Sequence, residues 1–223
     1  MLGGVDLLLF LCGDKMNGNK LLFVNVNIDY LKALHDVDSE VQYSDEGYIR
    51  KPFLGILLLN NYKQYVVPLS SVKEKHLHWK KRYSDGRYLV TEIISRSSIT
   101  QNAIYKEIGS AVSVERIYAA LDVKKMIPVR EDLYTTVSFA VLQDDSKSVV
   151  DYKILQEKEY RACVKIFDDI KRHAQDIYNK QMSTGKIQKF CCDYGLLERT
   201  MNNYREQKAP AAQDLTPQNT STP

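Results

Sequence analysis

The stretch "KPFLGILLLNNYKQYVVPLSSVK", residues 51–73, holds two apolar runs on either side of Asn60 and Asn61. Asparagine tolerates positive φ, which suits a tight primed turn, so the pattern predicts a β-hairpin. The second arm changes character at Pro68, which has no N–H to give to a ladder and is expected to end the strand. Beyond it, "LSSVKEKHLHWKKR" supplies two serines, a dense set of bases, two histidines and the chain's one tryptophan. A core strand that leads into such a segment brings hydroxyls and cations together at a sheet edge, where a phosphate can reach them.

Outward from the hairpin, "KLLFVNV" from Lys20 reads as a first strand. "NIDYLKALHD" reads as a short helix capped by Asn27, with Ile28, Leu31 and His35 along one face. Asp85-Gly86 signals a turn into the strand "RYLVTEIIS", and "KKMIPV" and "LYTTVSFAVL" supply further strands. From Asp151 the period changes. Cys163, Ile166, Phe167, Ile170, Ala174 and Ile177 recur at three- and four-residue steps, predicting one long amphipathic helix that ends before Gly185. Shorter helical segments are expected at 187–194 and 196–204. Strands first and helices last give an α+β fold, a compact antiparallel sheet with helices packed on it.

With 223 residues, 44% hydrophobic and 26% charged, the chain can bury the core of a single domain. The apolar run in the N-terminal "VDLLLFLC" follows Asp6, lacks a basic flank and is too short to span a bilayer, so residues 1–19 read as an extension, with Met16 as an alternative start. The tail at 208–223 is proline-rich and almost without apolar bulk, which predicts disorder. The domain is expected over 20–207. Four cysteines without C-x-x-C spacing imply neither a zinc site nor a disulfide framework, and a reducing, cytoplasmic setting is expected.

A net charge of +3 suggests nucleic acid only where the charge is concentrated. It is concentrated from Lys73 to Arg82, where five Lys or Arg stand against one Glu. Cations neutralise phosphates and an aromatic offers a face to an unstacked base, the composition of a single-strand surface. The ordinary alternative is a solvated charged face. His76 and His78 have no third ligand at metal spacing, and surface histidines are the bland account of them. Ser70 and Ser71 lack a G-x-S-x-G or S-x-x-K context, which excludes the common serine enzymes. There is no phosphate-cradling glycine loop and no paired acidic metal motif, so neither metal nor cofactor is expected.

In order along the chain, "KPFLGILL", the hairpin, "YVVPLSSVKEKH", "DVKKMIPV" from Asp122 and "GLLERTMNNY" after the long helix resemble the ToxN/AbiQ family, the endoribonuclease toxins of type III toxin–antitoxin and phage-defence systems. The resemblance runs from about Lys20 to about Arg205. It implies a barrel-like sheet related to the Kid and MazF toxins. It implies an active site of Lys51, Ser70, Ser71 and Lys73, with Tyr48 matching the family's upstream tyrosine. Ser70 stands where threonine is frequent, and Val72 where proline is. The implied activity is metal-independent cleavage of single-stranded RNA, mRNA included, to 2′,3′-cyclic phosphate and 5′-hydroxyl ends. The implied inhibitor is a small, pseudoknot-like, repeat-encoded antitoxin RNA, held in a cyclic protein–RNA assembly. Lys75, His76, Trp79, Lys80, Lys81 and Arg82, with Lys165, Lys171 and Arg172 on the long helix, are the expected RNA contacts. Two readings compete: a catalytically silent RNA-binding module, and a DNA-binding regulator using C-terminal helices of mixed charge.

Overall fold

The computed structural model describes residues 21–43, 52–58, 62–101 and 103–204. The hairpin is its centre: β2 (Phe53–Leu58) pairs antiparallel with β3 (Lys63–Ser71), Phe53 opposite Pro68. The expected Asn60-Asn61 turn lies outside the described residues. On the far side of β2 stands β1 (Leu22–Val26), and beyond it β8 (Tyr134–Thr136). On the other side of β3 run β6 (Ser113–Asp122) and then β4 (Arg87–Ser95). β5 (Tyr105–Glu107) pairs with β6, and β7 (Ile127–Pro128) pairs with β3.

The order β4-β6-β3-β2-β1-β8 has two ends that do not meet. The expectation of a barrel-like sheet is therefore corrected: among the described residues the sheet is antiparallel and open. Neither edge strand pairs with the other. β8 has three residues, and β4 extends its ladder only along β6.

Pro68 does not end its strand, contrary to the sequence reading. The N–H of Leu69 points to β2, donating to the Pro52 carbonyl at 3.4 Å. In an extended strand neighbouring amides alternate in direction, so the Pro68 nitrogen looks the other way. On that side β6 has ended at Asp122 and β7 begins only at Ile127, with a 3₁₀ turn at Val123–Lys125 between them. The proline sits where the ladder is interrupted and no donor is needed. β3 then runs three residues further, paired with β6, to Ser71.

α1 (Ile28–Val37) is capped as expected, the Asn27 side chain accepting from Tyr30 N–H at 3.0 Å. Its buried face is Tyr30, Leu31 and Leu34; Ile28 is exposed, and His35 turns its ring to the Val41 carbonyl at 2.8 Å. The single long helix is two: α2 (Lys147–Val164) and α3 (Phe167–Thr184). Ile166 between them has φ −121°, ψ 9°, and Asp168 and Asp169 occupy the first turn of α3, where carboxylates favour a helix start. Gly185 closes α3 in the left-handed conformation, φ 65°. α4 (Tyr194–Asn203) follows, while 187–193 is not helical.

The helices lie against the sheet, α2 on β4 and β6, α3 on β2, α4 on α1 and β7. One polar knot fastens them. Glu198 of α4 accepts from Tyr65 of β3 at 2.8 Å, Tyr178 of α3 at 2.9 Å and Lys63 at 2.5 Å. Such donors offset the hydration that a half-buried carboxylate loses. The cysteines Cys163, Cys191 and Cys192 are free and buried.

Candidate active site

Ser70 and Ser71, the last residues of β3, line a groove. Ser70 and Ser71 pair with Ala120 and Ala119 of β6, and directly opposed residues share a face of the sheet. β6 has a bulge here: Val90 opposes Ala119 and Thr91 opposes Ile117, leaving Tyr118 without a partner. The extra residue puts Tyr118 and Ala119 on the same face, in the main core, while Ile117 and Ala120 join a smaller cluster with Val72, Leu77 and Trp79. Ser71, Arg116 and Tyr118 thereby look toward α2. Between them lies a cavity of about 240 Å³, lined by Pro52, Ser70, Ser71, Arg116 and Tyr118 from the sheet and by Tyr152 and Glu159 from the helix.

The Ser70 hydroxyl donates to Gln42 Oε1 at 3.3 Å. Ser71 is exposed, and its hydroxyl has no partner among the described residues. Lys73, two residues on, lies outside the groove wall, exposed and without an ion pair to another described residue; its backbone N–H donates to His76 Nδ1 at 2.8 Å. That bond begins the 3₁₀ turn Glu74–His78. Lys51 and Tyr48 lie outside the described residues. Pro52, the covalent neighbour of Lys51, lines the groove.

The basic segment is more structural than its composition suggests. His76 is only 4% exposed, its ring edge-on to Trp79 at 4.6 Å. Burial, and then the charges of Lys75 and Lys73, hold its pKa below the usual histidine value. It is an internal cap of the turn rather than an open RNA contact. Trp79 is half-buried in the smaller cluster, with the Arg87 guanidinium 5.1 Å from its ring centre. Lys75 and Lys80 are exposed without an ion pair to another described residue. Lys81 pairs with Glu115, Arg82 and Arg172 share Asp169, and Lys165 reaches Glu92 at 3.0 Å. Lys171 is half-buried on α3.

Arg116, Tyr118, Tyr152 and Glu159 were not among the sequence-predicted residues. Tyr118 donates to Glu92 Oε2 at 3.1 Å, and burial with that neighbouring carboxylate pushes its phenol up to about 12. Glu92 is held below the usual carboxylate range, chiefly by Lys165. Among the described residues no group of three or more His, Cys, Asp or Glu is placed to hold a metal ion, and no helix is long and apolar enough to cross a membrane.

An open antiparallel sheet with helices packed on it is a fold that this chain shares with solved structures from bacterial type III toxin–antitoxin systems. A toxin from such a system, selectively inhibited by a non-coding RNA pseudoknot, superposes with a TM-score of 0.59 at 21% identity over 84% of this chain and 99% of its own. AbiQ, a lactococcal anti-phage endoribonuclease of the type III systems, superposes with a TM-score of 0.53 at 20% identity over 82% and 96%. The curated Endoribonuclease ToxN of Bacillus thuringiensis subsp. kurstaki is 23% identical over 201 residues, 86% of this chain and 88% of its own length. Residues 22–202 match the family model described as Toxin ToxN, type III toxin–antitoxin system; the chain belongs to that family.

Proposed function

We propose that the protein is an endoribonuclease toxin that cleaves single-stranded RNA without a metal ion and is held inactive by a small, pseudoknot-like antitoxin RNA. What carries the reading is the placement of Ser70 and Ser71 in the wall of the groove, with Lys73 just beyond it, in a chain matched to the toxin family over residues 22–202. The relatives named for endoribonuclease activity and for inhibition by a non-coding RNA support it. A kinship with the Kid and MazF toxins belongs to this reading, as does a cytoplasmic location.

In the reaction the ribose 2′-hydroxyl gives up its proton to water as its oxygen bonds to the adjacent phosphorus, the bond from phosphorus to the 5′-oxygen breaks, and that oxygen takes up a proton. The products are a 2′,3′-cyclic phosphate and a 5′-hydroxyl. Ser70 and Ser71 position the phosphate. Lys73 and Lys51 neutralise charge as it grows on the phosphoryl oxygens, and one of them protonates the leaving oxygen. Preorganised donors of this kind contribute on the order of 3–4 kcal/mol each. Tyr48 completes the constellation. Lys75, Lys80 and Lys81 extend a path for the RNA backbone, and an antitoxin RNA that bridges two copies closes a ring of protomers.

The test is cleavage of a single-stranded RNA by antitoxin-free protein and by its Ser71→Ala variant. The parent is expected to cut and the variant to lose its activity at unchanged melting temperature. A parent that binds RNA and never cuts it would instead establish a silent binding module.

A further inference from the structure

The described arginines divide sharply. Arg82, Arg87, Arg96, Arg130, Arg161 and Arg172 each pair with a carboxylate. Arg199 is exposed on α4. Arg116 alone is half-buried, in the groove wall beside Ser71, with no carboxylate partner among the described residues. Its described contact is with the Tyr118 ring, 5.0 Å from the guanidinium carbon.

A carboxylate is nevertheless at hand. Glu92 stands directly opposite Arg116 on β4, the position from which a cross-strand ion pair ordinarily forms. Each of its oxygens already has a donor. Oε1 accepts from Lys165 Nζ at 3.0 Å and Oε2 from the Tyr118 hydroxyl at 3.1 Å. The next carboxylate along β6, Glu115, is held by Lys81 and by Thr91 at 3.0 Å. Cations from outside the groove thus hold the two acids nearest Arg116 on the sheet, and Glu159, in the groove wall on α2, makes no ion pair with it. A guanidinium is always charged and presents a fork of donors matched to phosphate oxygens. Half-buried and with no ion-pair partner among the described residues, it is set for an anion.

We propose that Arg116 binds a phosphate of single-stranded RNA in the groove beside Ser71, and that Lys165 is a positioning residue which keeps Arg116 available by holding Glu92. The inference rests on the RNA-directed reading above but not on cleavage. It gives Lys165 an indirect role where a direct RNA contact was expected from the sequence.

The test measures binding of an uncleavable 2′-O-methyl single-stranded oligonucleotide across a salt series. Arg116→Met keeps the apolar stem over Tyr118 and removes the charge. It should weaken binding on the order of ten- to a hundred-fold. It should also lower the log–log salt slope by about 0.7, the share of one phosphate on a single strand. Lys165→Met should weaken binding as well, because Glu92 swings to Arg116, and adding Glu92→Gln should restore it. Rescue separates positioning from direct contact: were Lys165 itself on a phosphate, Glu92→Gln would restore nothing. The Lys165 pair leaves Arg116 intact and so remains decisive if Arg116→Met does not fold. Unchanged affinity and slope in a folded Arg116→Met, failure of rescue, or a parent that does not bind the oligonucleotide overturns the inference. A parent that cuts unmodified RNA while Arg116→Met binds like it overturns only this inference; a parent that binds as described and never cuts overturns only the nuclease reading.

Discussion

Two neighbouring residues of the basic turn should respond to alanine in opposite ways. His76 is buried, accepts the Lys73 N–H at 2.8 Å and sits edge-on to Trp79 at 4.6 Å. Its truncation removes a hydrogen bond of about 1 kcal/mol, an aromatic pair of about 1 kcal/mol and part of a buried ring, together about 2–3 kcal/mol. For a chain of this length that lowers the melting temperature by about 4–12 °C. Lys73 is exposed with no ion pair among the described residues, so Lys73→Ala should change stability by less than about 0.5 kcal/mol. It should cost on the order of a hundred- to a thousand-fold in cleavage rate, the loss of one preorganised donor. Thermal melts and single-turnover cleavage, both recorded well below the melt, separate the two effects. A His76→Ala protein as stable as the parent yet inactive would make the imidazole a chemical group. A fully active Lys73→Ala protein would remove Lys73 from the site.

Acidification should destabilise the fold. His76 and His173 have pKa values lowered by burial, so the unfolded chain takes up protons that the folded one refuses. Their contribution is complete above the ordinary value of 6.5 and is lost as pH falls below it, and a melting temperature flat from neutral pH down to their lowered values would contradict this. Gly86 has φ +88°, and an added Cβ would lie 2.9 Å from Ile177 Cδ1. Gly86→Ala should therefore cost about 1–2 kcal/mol from conformation alone, read as a lower melting midpoint with cleavage retained. Co-expressed with its cognate RNA, the protein should purify as a closed complex whose affinity falls steeply with salt, by about 0.7 in slope per single-strand phosphate. Recovery of RNA-free protein, or binding without a salt slope, would refute RNA control.

Local chemistry made the hairpin, the Asn27 cap, the Gly86 turn and the Gly185 stop legible, because each depends on residues close in sequence. β6, the longest strand, was not. In "SVERIYAALD" both faces are buried and the bulge at Tyr118 breaks the two-residue period, so no alternation survives to be read. With β6 hidden, Arg116 and Tyr118 could not be placed beside Ser71. Pro68 was misjudged for a related reason: whether a missing donor matters depends on the opposite strand, which belongs to a distant part of the chain. The basic run was read as surface from composition, whereas burial of His76 and the pairing of Lys81 with Glu115 depend on tertiary neighbours.

The central claim is that hydroxyls and cations of this groove cleave RNA through its own 2′-hydroxyl, with no metal ion. Its most direct test is the chemistry of the cut ends after incubation of antitoxin-free protein with single-stranded RNA in EDTA. Full cleavage, with a 2′,3′-cyclic phosphate on one fragment and a 5′-hydroxyl on the other, is the result expected. Cleavage that requires Mg²⁺, or fragments that carry 5′-phosphates, would contradict it and require a metal-activated water in place of the ribose hydroxyl.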